Sequence, residues 1–190
     1  MNPTRNRCGS RRPLMKFLCV AGSLRAASTN RALLHAMTDN APQGIDLAIY
    51  DDLGVLPIFN PDDEGERTPG IVTRLIDAAI SADGIVIACP EYAHGVPGGI
   101  KNALDWLVSG PAAVGKPAML VHASSRSLFA REALREILKT MSFAVFDGAE
   151  LEIPLIGKKP DEWASILADP AHRTIMRETF AAFEAFVRRQ

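Results

Sequence analysis

Met15-Lys16-Phe17-Leu18-Cys19-Val20-Ala21-Gly22-Ser23-Leu24-Arg25-Ala26-Ala27-Ser28-Thr29-Asn30 is the stretch on which the fold turns. Its first part is an apolar run interrupted only by Lys16, which reads as a buried strand. Its second part is rich in hydroxyls, carries one arginine, and runs into a helical pattern over residues 31–38. A strand that ends in such a loop and then turns into a helix aims unpaired backbone N–H groups at the loop's concave side. That arrangement is an anion site.

The same alternation repeats outward from there. Residues 45–50 read as a short strand, followed by a long irregular stretch, 51–68, containing Leu56-Pro57-Ile58-Phe59-Asn60-Pro61. A loop of this length in a compact domain is seldom idle. Pro69 suits the first turn of a helix whose buried face would hold Ile71, Val72, Leu75, Ile76, Ala79 and Ile80. Gly84-Ile85-Val86-Ile87-Ala88 is apolar on both faces and too short for a helix, as expected of a central parallel strand. It enters the loop Cys89-Pro90-Glu91-Tyr92-Ala93-His94-Gly95-Val96-Pro97-Gly98-Gly99 and then a helix with Ile100, Leu104, Leu107 and Val108 at helical spacing. A turn-rich connection, 110–116, leads to a strand at 117–123, the loop Ser124-Ser125-Arg126-Ser127, and a helix buried through Leu134, Ile137, Leu138 and Met141. A last strand is expected near 143–153, broken around Asp147-Gly148. A short helix at 160–167 follows. Asp169-Pro170 then opens a C-terminal helix with Met176, Phe180, Phe183 and Val187 in its stripe.

Strand and helix therefore alternate five times, which predicts an α/β fold: a doubly wound parallel sheet with right-handed crossovers and helices on both faces. Ligands of such sheets sit beyond the carboxyl ends of the strands. The loops at 22–30, 89–99 and 124–127 should converge on one ligand.

Composition narrows the function. The chain has 190 residues, 47% hydrophobic and 23% charged, within the range of an ordinary globule. Residues 1–14 carry Arg5, Arg7, Arg11 and Arg12 without an acid and are expected to be a disordered basic tail, leaving 15–190 as a single domain; Met15 is an alternative start. Without that tail the formal net charge goes from −1 to −5, and no basic stripe remains, which argues against a nucleic-acid partner. No apolar run is long enough to span a bilayer. Cys8, Cys19 and Cys89 form no C-x-x-C and no metal-like spacing with the four histidines, so no metal is expected and a reducing cytoplasm is.

The anion is narrowed too. The loop lacks the Gly-Lys-Ser/Thr ending of a nucleoside triphosphate site and the three spaced glycines of a dinucleotide site. One arginine facing a phosphate at about 4 Å contributes roughly 4 kcal/mol per unit charge at an effective dielectric of about 20. A single terminal phosphate fits, with hydroxyls and backbone donors completing its shell.

Gly22-Ser23-Leu24-Arg25 with Ser28-Thr29-Asn30, then Leu56-Pro57-Ile58-Phe59-Asn60, then Pro90-Glu91-Tyr92 with Val96-Pro97-Gly98-Gly99-Ile100-Lys101-Asn102-Ala103-Leu104-Asp105-Trp106 closely resemble the NADPH-dependent FMN reductase family, in matching order over residues 15–141. The resemblance implies a flavodoxin-like five-stranded sheet of order 2-1-3-4-5, bound FMN, and NADPH or NADH as cosubstrate. It implies that Ser23, Arg25, Ser28 and Asn30 surround the FMN phosphate, and that Pro90, Glu91, Tyr92 and Gly95 follow the ribityl chain and ring. Relatives act on quinones, azo dyes or chromate, and usually pair through the helix near Trp106, so a homodimer or homotetramer is implied. Residues 124–127 depart from the family pattern, since relatives tend to have a glycine-rich turn there. Either FMN binds more weakly or not at all, or Arg126 replaces the backbone contacts and attracts an anionic cosubstrate such as the NADPH phosphate; Ser124 and Arg126 are counted among the cofactor-binding residues.

The reaction so implied is hydride transfer from NAD(P)H to FMN and onward to a quinone, free flavin, azo or metal-oxyanion acceptor by a ping-pong scheme, with no side chain named as acid or base. His94 reads as a solvated loop residue and Trp106 as packing. A flavodoxin-type electron carrier and a flavin-free module of the same fold are the alternatives.

Overall fold

The apolar run at residues 15–21 forms β1 (Met15–Ala21), buried throughout except at Lys16. Burial on both faces follows from its central place: it pairs in parallel with β2 (Ile45–Tyr50) on one side and β3 (Gly84–Ala88) on the other. The computed structural model describes residues 14–190; the expected basic tail, Leu14 apart, lies outside the described residues. β3 pairs with β4 (Pro117–His122), and β4 pairs with two short pieces, β5 (Ala144–Val145) and β6 (Leu151–Glu152). Every pairing is parallel and the order is 2-1-3-4-5, the flavodoxin-like arrangement that the resemblance implied. The expected last strand is thus split where Asp147-Gly148 interrupts it.

Period-two alternation sorts the strand residues between two cores. Phe17 and Cys19 join α1 (Thr29–Asp39), α5 (Pro160–Leu167) and α6 (Pro170–Val187) through Leu33, Leu34, Met37, Leu167, Phe180 and Phe183. Leu18 and Val20 face the other way, toward α2 (Gly70–Ser81), α3 (Gly98–Leu107) and α4 (Leu128–Thr140). α1 begins earlier than its apolar spacing suggests. Ser28, in an extended conformation, caps it by accepting from the Arg31 N–H at 3.2 Å.

Several details differ from the periodicity-based reading. α3 stops at Leu107, so Val108 leaves the buried face and is half exposed; Ile80, near the end of α2, is likewise exposed. Ala103 and Trp106 are both buried, and Trp106 is covered by the chain's own irregular stretch. That stretch contains three short 3₁₀ turns, Asp52–Val55, Pro61–Asp63 and Gly65–Arg67. Between the first two, α3 grips it: Asn102 Nδ2 and Trp106 Nε1 both donate to the Pro57 carbonyl, at 2.9 and 2.8 Å, and the Phe59 N–H donates to Asn102 Oδ1 at 2.8 Å. Phe59 meets Trp106 edge to face at 5.0 Å, confirming packing as the role of Trp106.

Candidate active site

The three loops converge as expected. They open at the carboxyl edge of the sheet around a cavity of about 420 Å³, within the usual range of cofactor sites, about 300–1,000 Å³. Ser23, Arg25, Ser28 and Asn30 line it from the first loop, Pro90, Glu91 and Tyr92 from the second, and Ser124 and Arg126 from the third. Of the site residues named from sequence, Gly95 is the one outside this lining. Thr29 and Ser127 join it without having been singled out as ligands.

In the first loop, Ser23, Ser28 and Asn30 are buried while Arg25 is exposed. Among the described residues, no backbone N–H from 23 to 30 donates to a protein acceptor. Backbone N–H groups left without internal partners beside buried hydroxyls and an amide make a binding surface for an anion rather than a sealed turn. Gly22 lets the loop lie close to its neighbours: a Cβ there would come 2.2 Å from Ile100 Cδ1 and 2.8 Å from Pro90 Cδ.

The second loop is held in a strained shape. Tyr92 and Gly95 exchange both backbone hydrogen bonds, at 3.2 and 3.0 Å, around Ala93 and His94, whose φ values are +49° and +58°. Two consecutive positive φ angles make a type I′ turn, which neither an alanine nor a histidine favours. This explains the place of Gly95: it closes the turn instead of facing the cavity. His94 is exposed and stacks on Phe129 at 4.5 Å, outside the cavity lining. Glu91 Oε2 accepts from the Ala130 N–H at 3.0 Å, so its carboxylate caps α4 in place of a local side chain. A long hydrogen bond of 3.4 Å from the Tyr92 hydroxyl to Ser23 Oγ ties the first and second loops.

The third loop is buttressed from beneath by a charged cluster that sequence reasoning missed. Arg131 in α4 donates to the Ser124 carbonyl and pairs with Glu152; Arg135 pairs with Glu150. His122 Nε2 lies 2.7 Å from Glu150 Oε2. Burial, reinforced by Arg131 and Arg135 against the pull of Glu152, pushes His122 down to about 3. The contact is therefore a neutral imidazole donating to a carboxylate, not an ion pair. Above it, Ser124 Oγ accepts from the Arg126 N–H at 3.0 Å, which shapes the turn without glycine.

A fourth wall was also missed: Ile156, Gly157, Lys158, Pro160 and Trp163 close the cavity from the segment that follows β6. The signal existed, since this segment also leaves a carboxyl strand end. Neither Cys19 nor Cys89 is poised as a nucleophile, because burial pushes both thiols up to about 12, with Glu91 adding to the effect at Cys89. Among the described residues no cluster of His, Cys, Asp or Glu is placed to hold a metal, and no helix is long and apolar enough to cross a membrane.

The sequence profile of NADPH-dependent FMN reductases matches residues 15–157. The chain belongs to that family. Members similar to it include a quinone reductase of Escherichia coli K12, 29% identical over 182 residues and covering 92% of this chain and 96% of the relative. An NAD(P)H-dependent FMN reductase of Pseudomonas aeruginosa is 30% identical over 180 residues with the same coverage. Among solved structures, the flavoenzyme NAD(P)H:(acceptor) oxidoreductase FerB of Paracoccus denitrificans superposes with a TM-score of 0.78 at 24% identity, covering 93% of this chain and 98% of that one, a likeness of fold. As a member of the FMN reductase family the chain is an oxidoreductase whose chemistry involves FMN and NAD(P)H. The donor set fits: buried hydroxyls, an amide, free N–H groups and a guanidinium suit a phosphate, and the second loop offers backbone and a tyrosine beside it.

Proposed function

We propose that residues 15–190 act as one cytoplasmic flavin-binding domain that holds FMN in this cavity and reduces a quinone, free flavin, azo compound or metal oxyanion at the expense of NADPH or NADH. The observation that carries this is the meeting of the hydroxyl-and-arginine loop with Pro90, Glu91 and Tyr92 around one cavity. Bound FMN supplies acceptance of a hydride and its onward delivery. The chain's part is binding and orientation. Arg25 supplies charge, Ser23 and Ser28 supply hydroxyls, Asn30 supplies an amide, and the N–H groups of residues 23–30 complete the phosphate shell. Pro90, Glu91 and Tyr92 line the side on which the ring would lie, and Ser124 and Arg126 bound the cavity from the glycine-free turn.

No side chain is assigned as acid or base, because His94 stands outside the cavity and Glu91 is committed to α4. Successive use of one cavity by nicotinamide and acceptor requires parallel lines in a two-substrate rate analysis with purified protein and added FMN. Intersecting lines would refute the two-step scheme, and failure to oxidise NADPH or NADH would refute the activity. Half-exposed Val108 together with Ile58 and Val55, also exposed, supports association as a homodimer or homotetramer. Sedimentation at the 20.5 kDa of one chain would refute that.

A further inference from the structure

A phosphate monoester carries a charge of about −1.5 to −2 near neutral pH, more than one arginine balances. Within the cavity lining, the cationic side chains are Arg25, Arg126 and Lys158, and the only carboxylate, Glu91, is already bonded to the Ala130 N–H. The two further cations lie on different sides. Arg126 precedes α4, which covers the face of the sheet opposite α1. Lys158 precedes α5, which packs beside α1 on the same face, and both helices start from the carboxyl edge. Lys158 therefore stands on the side of the cavity where Ser28 caps α1.

Its backbone is fixed there. The segment continues the edge of the sheet through hydrogen bonds from the Ile153 N–H to the His122 carbonyl and from the Leu155 N–H to the Ala123 carbonyl, both 2.9 Å. The Lys158 N–H donates to the Leu155 carbonyl at 3.1 Å, and the Lys158 carbonyl accepts from Trp163 Nε1 at 3.1 Å. Gly157, with φ +79°, makes the turn between them at an angle that a side chain would strain. A lysine whose main chain is held on both sides, at the rim of the anion site, needs only its flexible stem to reach inward.

We infer that Lys158 is a second cationic ligand of the phosphate seated on residues 23–30, supplied by the segment after the last strand. The assignment rests on the FMN reading above. It lies just past residue 157, where the family match ends.

The test compares two flavins that differ in the phosphate alone. The flavin-free full chain is titrated with FMN and with riboflavin, following quenching of flavin fluorescence, for the wild type, K158M, K158R and R25M. Methionine keeps an apolar stem and removes the charge. K158M should raise the FMN Kd about tenfold and leave riboflavin within about twofold, with K158R returning FMN toward the wild-type value. FMN binding unchanged in K158M but weakened in R25M would overturn the assignment of Lys158 alone. Equal weakening of FMN and riboflavin in K158M would overturn it as well, because that is the signature of packing. A wild-type chain that binds no FMN would instead overturn the reading beneath it.

Discussion

Taking the folded chain from pH 7 to pH 5 should remove about 2 kcal/mol of stability through His122 alone. In the unfolded chain this imidazole protonates at its ordinary 6.5, whereas in the fold it stays neutral down to about 3, held there first by burial and then by Arg131 and Arg135. The unfolded state therefore binds more protons throughout the window from 6.5 to 3, and stability falls as pH falls through it. At pH 5 the unfolded imidazole gains about 2 kcal/mol from protonation, against roughly 0.2 kcal/mol at pH 7. Across the full window the loss approaches about 5 kcal/mol, a large part of the stability of an ordinary domain. Urea unfolding at the two pH values, in wild type and in His122→Gln, isolates the contribution, since glutamine keeps an N–H for Glu150 but does not titrate. The wild type should lose about 2 kcal/mol more than the variant between pH 7 and pH 5. Equal losses would show that His122 is not held neutral and would remove the account of the cluster beneath residues 124–127.

Three further outcomes follow from particular contacts. Gly22→Ala forces a Cβ against Ile100 and Pro90, so thermal unfolding should show a loss of about 1–3 kcal/mol, with weaker FMN binding as the first loop is pushed from the second. Asn102→Ala leaves the Phe59 N–H without its acceptor and the Pro57 carbonyl with Trp106 as its one remaining donor; it should cost about 1–3 kcal/mol in urea unfolding and speed proteolysis within residues 51–68. Arg126→Gly removes an exposed cavity cation and should raise the KM for NADPH about threefold while leaving that for NADH unchanged, in steady-state assays with a fixed acceptor.

The architecture was legible because its signals are local and redundant. β1 and β3 are apolar on both faces, and a short strand of that kind has few places other than the middle of a parallel sheet. Once the sheet is parallel, the loops that share its carboxyl edge must share a site, and the first three were found that way. Lys158 and Trp163 were overlooked because the broken last strand hid the fact that another strand end leads there. The cluster of His122, Glu150, Arg131 and Arg135 has no sequence signature at all: its members come from a strand, a helix and a loop, and only packing makes neighbours of them. Gly95 has a structural role that the sequence did not show. Its place in the second loop suggested a contact with the ligand, yet its backbone is needed to close the turn around Ala93 and His94.

The broken strand also limits how copies of this chain can join. β5 and β6 are two residues each, and between them the Phe146 ring passes so close to Gly148 that a Cβ there would meet it at 2.2 Å, while Glu150 turns inward to His122. A neighbouring polypeptide seeking to extend the sheet at this edge meets no uninterrupted row of N–H and C=O groups to pair with. Growth by strand addition is blocked on that side, so copies meeting there have to do so through helices and loops.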